Sequence, residues 1–549
     1  MFSSGPGLAI DPTWVLGSCK GILIGRELKV EHEKSSRVNN VRETIQRCAM
    51  VVLELVAQIP LPLMLFGVAS LLYVLYLFSS TPGCAKCPPG PRPLPLLGNL
   101  LHLDLTRFNI CTHELSKKYG SVFTVHLGPK KVVIVTGYKA VKQVLLSPSE
   151  FQEKDMLVIF REMFHGQGVL FANGKSWKAM KHFCLGSLRN FGMGKAAGEE
   201  VIIKECNHFI EVLEKFKGEP FDVELLDASV SNIICTILFG DRFDDADPTL
   251  REMLAYLKQT IDLISSAEIQ LHSVFPWLSW CGGLLLRNRS EALKNYRFCT
   301  EKMKVLVGQF KDTFSPQDCR GIVDDFLLQQ LKESDQPSSY FSNGNLLGII
   351  RDMFVAGTET TYISLVWGLI LMAKYPDIQD RVQEELSQVI GHREPRLKDQ
   401  KNLPYTNAVI HEIQRFGSPI SMITRTTSFD VTFQGYLIEK GTKTLLSLES
   451  VLRDEDEWET PHSFNPGHFL DEKGCFTRRD ALLNFSVGHR ACPGESLAKM
   501  ELFLFFTFLL QRFRFSPPPG VSQDALDLNP VACFIKKPST HRLCARTSA

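Results

Sequence analysis

The sequence has 549 residues, of which 44% are hydrophobic and 22% are charged, and this composition excludes a disordered or fibrous chain. Its 61 basic and 60 acidic residues leave a net charge of +1, without the basic excess typical of nucleic-acid-binding proteins. The 15 cysteines are scattered singly, which favours a reducing compartment over a disulfide-bonded scaffold. We therefore expect a globular protein with no nucleic-acid partner.

The first predicted element is a transmembrane helix. Ile59 to Phe78 is uncharged and, as a helix, would be roughly 30 Å long, the thickness of a bilayer core. A buried core helix is the main alternative, and a cleaved signal is disfavoured because no small-residue cleavage site follows the run. We assign residues 48–78 to a single-pass anchor of undecided orientation, since the flanking basic residues are balanced. Residues 1–47 precede it as an extension of unknown role.

A proline-rich connector, residues 79–99, follows the anchor. Because proline fixes φ and interrupts helices, Pro88 to Pro95 predicts a stiff, extended spacer, with a partner-binding motif as the alternative. Cys84 and Cys87 form a single CxxC pair, and without a second pair it is only a weak indication of a metal or redox site.

The remaining residues, 100–549, are interpreted as one mainly α domain with a minor β portion. Alternating or β-branched runs predict strands at Val122 to Leu127, Lys131 to Val135 and Val431 to Ile438. Helical spacing predicts helices at Glu199 to Phe216, Asn345 to Met372, Ile378 to Ile390 and Tyr405 to Phe416, and another from about Glu495.

The most specific motif surrounds Cys492, in the sequence FSVGHRACPG. Its position just before a helix N-terminus favours a thiolate, Arg490 supplies a nearby cation, and Phe485 can screen the sulfur from water. We interpret Gly488 and Gly494 as allowing the backbone to approach a flat, bulky group. Because structural zinc sites need three or four Cys or His ligands, a haem held by one thiolate fits better.

This frame, F-x-x-G-x-R-x-C-x-G, resembles the haem-binding signature of the cytochrome P-450 family, and the following ESLAKMELF resembles vertebrate microsomal family-two members. The resemblance extends from the connector to the C-terminus and implies the P-450 fold with haem b on Cys492. It also implies haem-carboxylate contacts from Trp177, Lys181 and Arg425, with Phe485 and Arg490 as further cofactor-binding residues. Lys181 stands where the family usually has Arg, and Arg425 stands where close relatives often have His.

A second motif, AGTETT, lies midway along the predicted helix Asn345 to Met372. Glycine and threonines weaken a helix there, and we expect the hydrogen-bond ladder to open and admit water or oxygen. Glu359 and Thr360 could then deliver protons to dioxygen, whereas simple packing against a neighbouring helix is the alternative. The motif is similar to the family's A-G-x-[D/E]-T-T, which implies oxygen activation by Thr360 beside the acidic Glu359.

Glu412 and Arg415, three residues apart on a predicted helix, can pair, although this spacing alone most often marks a solvated surface pair. The resemblance implies a buried structural network behind the haem, with His468 as its third member where many relatives have Arg. The resemblance also implies a substrate pocket above the haem, with these members: Phe354, Ala356, Pro419, Ile420, Ile423, Val531 and Phe534.

The implied reaction inserts one atom of O2 into a lipophilic substrate such as a xenobiotic, steroid or fatty acid. Electrons would come from NADPH through the FAD and FMN of a membrane-bound reductase, with cytochrome b5 as a further candidate donor. The implied location is the endoplasmic reticulum membrane, with the catalytic domain in the cytosol. Two alternatives stay open: a haem-thiolate isomerase or dehydratase acting on peroxides, and a haem-binding protein without turnover.

Overall fold

The computed structural model describes residues 60–78, 86–104, 107–147, 149–191, 196–244, 247–281, 286–336, 338–531 and 535–548. The extension 1–47, the first part of the predicted anchor, Cys84 and Phe534 lie outside these residues. The chain divides at Pro82 into two units, which we describe separately.

In the first unit, helix α1 spans Leu61–Phe78 within the predicted anchor. Its apolar stretch Pro62–Val74 is shorter than a bilayer span. Within the described ranges, the one helix that is long and apolar enough to cross a membrane is Asn343–Lys374 of the second unit, and 78% of its most apolar window is buried in protein. That helix is therefore a core helix, and the membrane anchor stays a prediction.

The second unit is mainly helical. Its α-helices are α2 (Phe108–Tyr119), α3 (Tyr138–Leu146), α4 (Val158–Phe164), α5 (Gly174–Asn190), α6 (Ala196–Glu214), α7 (Leu226–Phe239), α8 (Pro248–Ile264), α9 (Ala267–Val274), α10 (Arg287–Asp312), α11 (Ile322–Lys332), α12 (Asn343–Lys374), α13 (Pro376–Val389), α14 (Pro404–Phe416), α15 (Leu448–Leu452) and α16 (Glu495–Arg512). All four of the fully bounded helices predicted from the sequence are present, with ends shifted by a few residues.

The strands form small sheets at the edges of this helical body. They are β1 (Val122–Leu127), β2 (Lys130–Val135), β3 (Pro220–Asp222), β4 (Met422–Thr426), β5 (Val431–Phe433), β6 (Tyr436–Ile438), β7 (Lys443–Ser447), β8 (Phe513–Ser516), β9 (Pro530–Val531), β10 (Lys537–Pro538) and β11 (Arg542–Thr547). The largest sheet has the order β1-β2-β7-β4, with only β2 and β7 parallel. The single strand predicted at residues 431–438 is a hairpin of β5 and β6.

Helix α12 is the central element of the second unit, and it packs against α7, α14 and α16 in the main hydrophobic core. It continues without interruption through Gly357, so the expected opening of its ladder is not observed. A Cβ on Gly357 would lie 2.6 Å from Ile234 Cδ1 of α7. The two helices therefore approach closely at this glycine, and a larger residue would require the Ile234 side chain to shift.

Candidate active site

The loop that carries Cys492 is closed on itself and packed against α3. The Cys492 backbone N–H donates to the Phe485 carbonyl at 2.8 Å. Gly488 has a φ of 78°, and a Cβ on it would lie 2.4 Å from the Leu145 carbonyl oxygen of α3. Contact with α3 and the positive φ therefore each require this glycine, and the approach of a bulky group to its backbone stays a prediction. A Cβ on Gly494 would make only ordinary contact with the Cys492 sulfur, at 3.9 Å.

The Cys492 side chain lies in a concave part of the surface. It is solvent-exposed, yet the surrounding protein desolvates the thiol and raises its pKa. An atom that is both accessible and closely surrounded is at the base of a cavity. The Gly494 backbone N–H and the Lys154 charge oppose the increase, and the Glu495 charge adds to it. The protein groups alone thus do not favour the expected thiolate, whereas a bound metal ion deprotonates a coordinating thiol.

Two of the expected cofactor-binding cations face one indole ring. The Arg490 guanidinium carbon lies 3.5 Å from the centroid of the Trp177 ring, and Lys181 Nζ lies 5.3 Å from it. Lys181 also donates to the His489 carbonyl. Arg490 donates to three acceptors, namely the carbonyls of Gln152 and Ala172, both at 2.9 Å, and Asn173 Oδ1 at 2.7 Å. These contacts hold both cations beside the Cys492 loop.

Arg425, which is buried, and Lys154, which is half-buried, add two more cationic groups. Arg425, on β4, donates to the Thr424 carbonyl at 2.9 Å, and burial lowers its pKa to about 10. Lys154 donates to the Leu170 carbonyl at 2.9 Å. Burial, followed by repulsion from Arg425 and Arg490, lowers the pKa of Lys154 to about 7. Sequence reasoning missed Lys154, since it lies in an irregular segment with no motif.

This set of groups fits a haem. Among the described residues, no carboxylate forms an ion pair with Lys154, Arg425 or Arg490, so the cluster is short of negative charge. The two carboxylates of a haem would neutralise it, and one accessible thiol suits an iron porphyrin. No group of three or more His, Cys, Asp or Glu side chains in the described part of the chain could hold a metal ion instead.

The segment of residues 167–173 joins these cations to α12. Asp352 Oδ2 accepts from the backbone N–H groups of Val169 at 2.7 Å and Leu170 at 2.8 Å. Arg351 pairs with Asp352 at 2.6 Å and donates to the Gln167 carbonyl at 3.0 Å. The same segment supplies the Leu170 carbonyl that accepts from Lys154 and two of the three acceptors of Arg490. No local pattern predicts this connection, because it joins residues about 180 positions apart.

The expected oxygen-activation pair lies on α12, which packs against α16. The Thr360 hydroxyl donates to the Ala356 carbonyl at 2.6 Å, one turn earlier. Glu359 is buried, and its Oε1 lies 2.8 Å from Lys537 Nζ of β10. Both side chains are therefore held by partners within the protein, and the pairing of Glu359 with Lys537 has no signal in the sequence.

Glu412, Arg415 and His468 meet in a buried network. Arg415 forms two 2.7 Å hydrogen bonds with the Glu412 carboxylate, and His468 Nδ1 lies 3.1 Å from the same carboxylate. The backbone N–H of Thr460 donates to His468 Nε2 at 3.1 Å, which leaves the imidazole proton on Nδ1, facing Glu412. Arg415 also donates to the carbonyls of Leu452, Pro461 and Ser463. All the donors of this group are directed to acceptors, as burial requires.

The residues expected to contact substrate differ in exposure. Phe354 is buried in the main core, whereas Ala356 is half-buried on the same helix. Ile420 and Ile423 are also half-buried, and both pack against the core beneath the β1–β2–β7–β4 sheet. The Pro419 carbonyl accepts from the Lys536 backbone N–H at 2.9 Å, which links this segment to the β9–β10 hairpin. Val531, on β9, is exposed.

Comparisons with known proteins agree with this geometry. A family model described as Cytochrome P450 matches residues 88–545, so the chain belongs to the cytochrome P450 family. It is a haem-thiolate monooxygenase, whose reaction needs a redox partner, a substrate and O2.

Several individual members of this family are similar to the chain over most of its length. The chain is 51% identical to cytochrome P450 2K1 of Oncorhynchus mykiss over 90% of this chain and 99% of that protein. It is 42% identical to human cytochrome P450 2W1, over 84% and 94% of the two chains. It is also 42% identical to cytochrome P450 2B4 of Oryctolagus cuniculus, over 83% and 93%.

Proposed function

We propose that the chain is an anchored monooxygenase of the endoplasmic reticulum membrane that inserts one oxygen atom into a lipophilic xenobiotic, steroid or fatty acid. NADPH supplies the electrons through a reductase carrying FAD and FMN, with cytochrome b5 as a further donor. The observation that carries this proposal is the accessible Cys492 thiol at the base of a cavity, bordered by cations that have no carboxylate partner in the described part of the chain.

Each residue of the site has a proposed task. Cys492 holds the haem iron, and Phe485 limits the access of water to the sulfur. Five residues hold the haem carboxylates. Four of them were predicted from the sequence as cofactor-binding residues, and the fifth, Lys154, was identified only in the structure: Trp177, Lys181, Arg425, Arg490 and Lys154. The Glu412, Arg415 and His468 network keeps the segment before the Cys492 loop in place. Haem with an axial thiolate supplies the oxidative chemistry when bound.

Proton supply is the proposed task of α12. The Thr360 hydroxyl, now donating to the Ala356 carbonyl, can exchange this acceptor for a ligand within the site, because hydroxyl rotation costs little. Glu359, one residue earlier and buried, can hold a proton at a carboxylate oxygen. The intact Glu359–Thr360 pair supports oxygen activation over the isomerisation of peroxides.

The proposed substrate is lipophilic because apolar side chains form the expected pocket. Ala356, Ile420 and Ile423 are half-buried rather than fully enclosed, so they retain surface for a ligand. An apolar substrate would partition into a bilayer, which agrees with an anchor at residues 48–78 and a cytosolic domain at residues 100–549. Residues 79–99 would then space that domain from the membrane.

A difference spectrum of the reduced, carbon-monoxide-treated protein tests the iron ligand. The wild type is expected to give a thiolate-type spectrum that is absent in Cys492→Ala. An imidazole-type spectrum in the wild type would contradict the assignment of Cys492. Peroxide isomerisation without NADPH, together with no oxygen insertion in the presence of the reductase, would favour the alternative reaction instead.

The role of α12 is tested by Thr360→Ala. We expect this variant to consume NADPH at a similar rate but to release more of the reduced oxygen as hydrogen peroxide, because proton delivery is impaired. Thr360→Ser, which keeps the hydroxyl, is the matched control. Equal peroxide release by the wild type and Thr360→Ala would remove Thr360 from the mechanism.

A further inference from the structure

Lys537 connects the buried acid of α12 to a helix on the outside of the domain. Its Nζ lies 2.8 Å from Glu359 Oε1 and 3.3 Å from Asp262 Oδ1 of α8. The exposed fraction rises along this series, from 7% for the Glu359 side chain through 21% for Lys537 to 62% for Asp262. One ammonium group thus bridges an enclosed carboxylate and a solvated one.

Lys537 keeps its charge in this position. Burial opposes the charged form, but Glu359 and then Asp262 more than offset it, and the pKa of Lys537 is raised above its ordinary value. In the described part of the chain, Lys537 is the only ion-pair partner of Glu359. Burying the Glu359 carboxylate without a cationic partner would cost free energy. The position of the Lys537 ammonium group therefore determines where this carboxylate is stable.

Helix α8 makes a second ionic contact beside the first. Lys258, four residues before Asp262, lies 3.5 Å from Asp227 of α7 and 3.5 Å from Glu224. Burial and the nearby Glu359 raise the pKa of Asp227 to about 6, while Lys258 opposes this increase. Lys258 and Asp262, one turn apart on α8, therefore each face a group of opposite charge in the domain. The packing of α8 against the domain and the electrostatic environment of Glu359 are therefore linked.

We propose that Lys537 is the positioning residue of Glu359, and that Asp262 makes this positioning depend on the seating of α8 against the domain. When α8 is seated, Lys537 is shared between the two carboxylates, and the Glu359 carboxylate has a fixed orientation. When α8 moves away, Asp262 no longer restrains Lys537, and the position of Glu359 relaxes. This inference rests on the proposed role of Glu359 and adds a connection between the outer helix and that acid.

The test compares peroxide and water formation by the full-length holoenzyme with its reductase, without added substrate. Lys537→Met is expected to raise the peroxide-to-water ratio roughly tenfold, the scale on which a misplaced proton donor impairs a reaction. Lys537→Arg should restore most of the wild-type ratio. Lys536→Met is the matched control, because this neighbouring lysine pairs with Glu449 and should leave the ratio unchanged.

A double-mutant cycle separates this inference from the proposed function. If Lys537 acts through Glu359, adding Lys537→Met to Glu359→Gln should cause no further change, and additive effects would overturn the positioning role. An altered ratio in Glu359→Gln with a wild-type ratio in Lys537→Met would also overturn it while leaving the role of Glu359 intact. A wild-type ratio in Glu359→Gln would instead refute the proposed function of that acid.

Hydrogen exchange supplies a readout that is independent of turnover. Lys537→Met and Asp262→Asn should both accelerate amide exchange in the C-terminal half of α8, since each removes one end of the same ion pair. Unchanged exchange in both variants would show that the ion pair does not restrain α8 and would overturn the proposed connection.

Discussion

Lys154 provides a quantitative test of the cationic cluster around Cys492. Within the protein's own groups, burial and then Arg425 and Arg490 lower the pKa of Lys154 from 10.5 to about 7. At 1.36 kcal/mol per pKa unit, this decrease corresponds to about 5 kcal/mol of penalty on the charged form. Haem carboxylates would offset part of this penalty, and binding should therefore be coupled to protonation of Lys154.

The sign of the pH dependence follows from the lowered pKa. Below pH 7 the ammonium is charged in both the folded and the unfolded protein, and the full penalty applies. As the pH rises from about 7 to 10.5, the folded haem-free protein loses the proton first, so its relative stability increases. Over the same window, haem binding must take up a proton, and the apparent haem affinity should fall by up to about tenfold per pH unit.

The assay is equilibrium competition for haem with a haem-binding globin between pH 6.5 and 9.5. Lys154→Met should bind haem more weakly at pH 6.5 and show a flatter pH dependence than the wild type. Lys443→Met is the matched control, because burial also lowers the pKa of Lys443 but Cys492 and Arg425 do not contribute to its shift. Equal pH slopes for the wild type and Lys154→Met would refute the reasoning.

Three further variants test other contacts. Glu412→Gln should destabilise the domain by about 3–5 kcal/mol in thermal unfolding, since it leaves the buried Arg415 without a countercharge, and a loss below 1 kcal/mol would contradict this. Gly357→Ala should cost about 1–3 kcal/mol through its clash with Ile234, and Ile234→Val, which removes the clashing methyl group, should recover part of that loss. Arg425→Gln should weaken haem retention more than the corresponding change at Lys181, and the reverse order in globin competition would oppose our assignment of Arg425.

Local sequence signals predicted the elements that carry the site. Helices α12 and α14 have long apolar patterns, and the Cys492 motif precedes α16 at a fixed distance, so chain-local reasoning located all three. The structural reasons for individual glycines were harder to predict. Gly357 and Gly488 are required by contacts with Ile234 and Leu145, which lie far away in the sequence and could not be inferred from local propensity.

The charged contacts of the site were the least predictable part. Lys154 and Lys537 lie in segments with no periodic pattern, and their partners are 16 to 275 positions away. A buried ion pair depends on the mutual position of elements that pack only in the folded state, and an isolated lysine in a sequence is most often a solvated residue. The roles of Lys154 and Lys537 therefore become visible only when the folded structure shows which groups surround them.

We propose that Lys181 and Arg425, the two departures from the family pattern, compensate for each other in haem binding. Lys181 has one charged group, and that group already donates to the His489 carbonyl beside the Trp177 ring. Arg425 has five N–H donors, and among the described residues it directs only one hydrogen bond, to the Thr424 carbonyl. An arginine at position 425 thus supplies a permanent charge, and it has more free N–H donors than a histidine would have at this position. Because a guanidinium can bind a carboxylate through two parallel hydrogen bonds, Arg425 can replace the forked contact that lysine at position 181 cannot make.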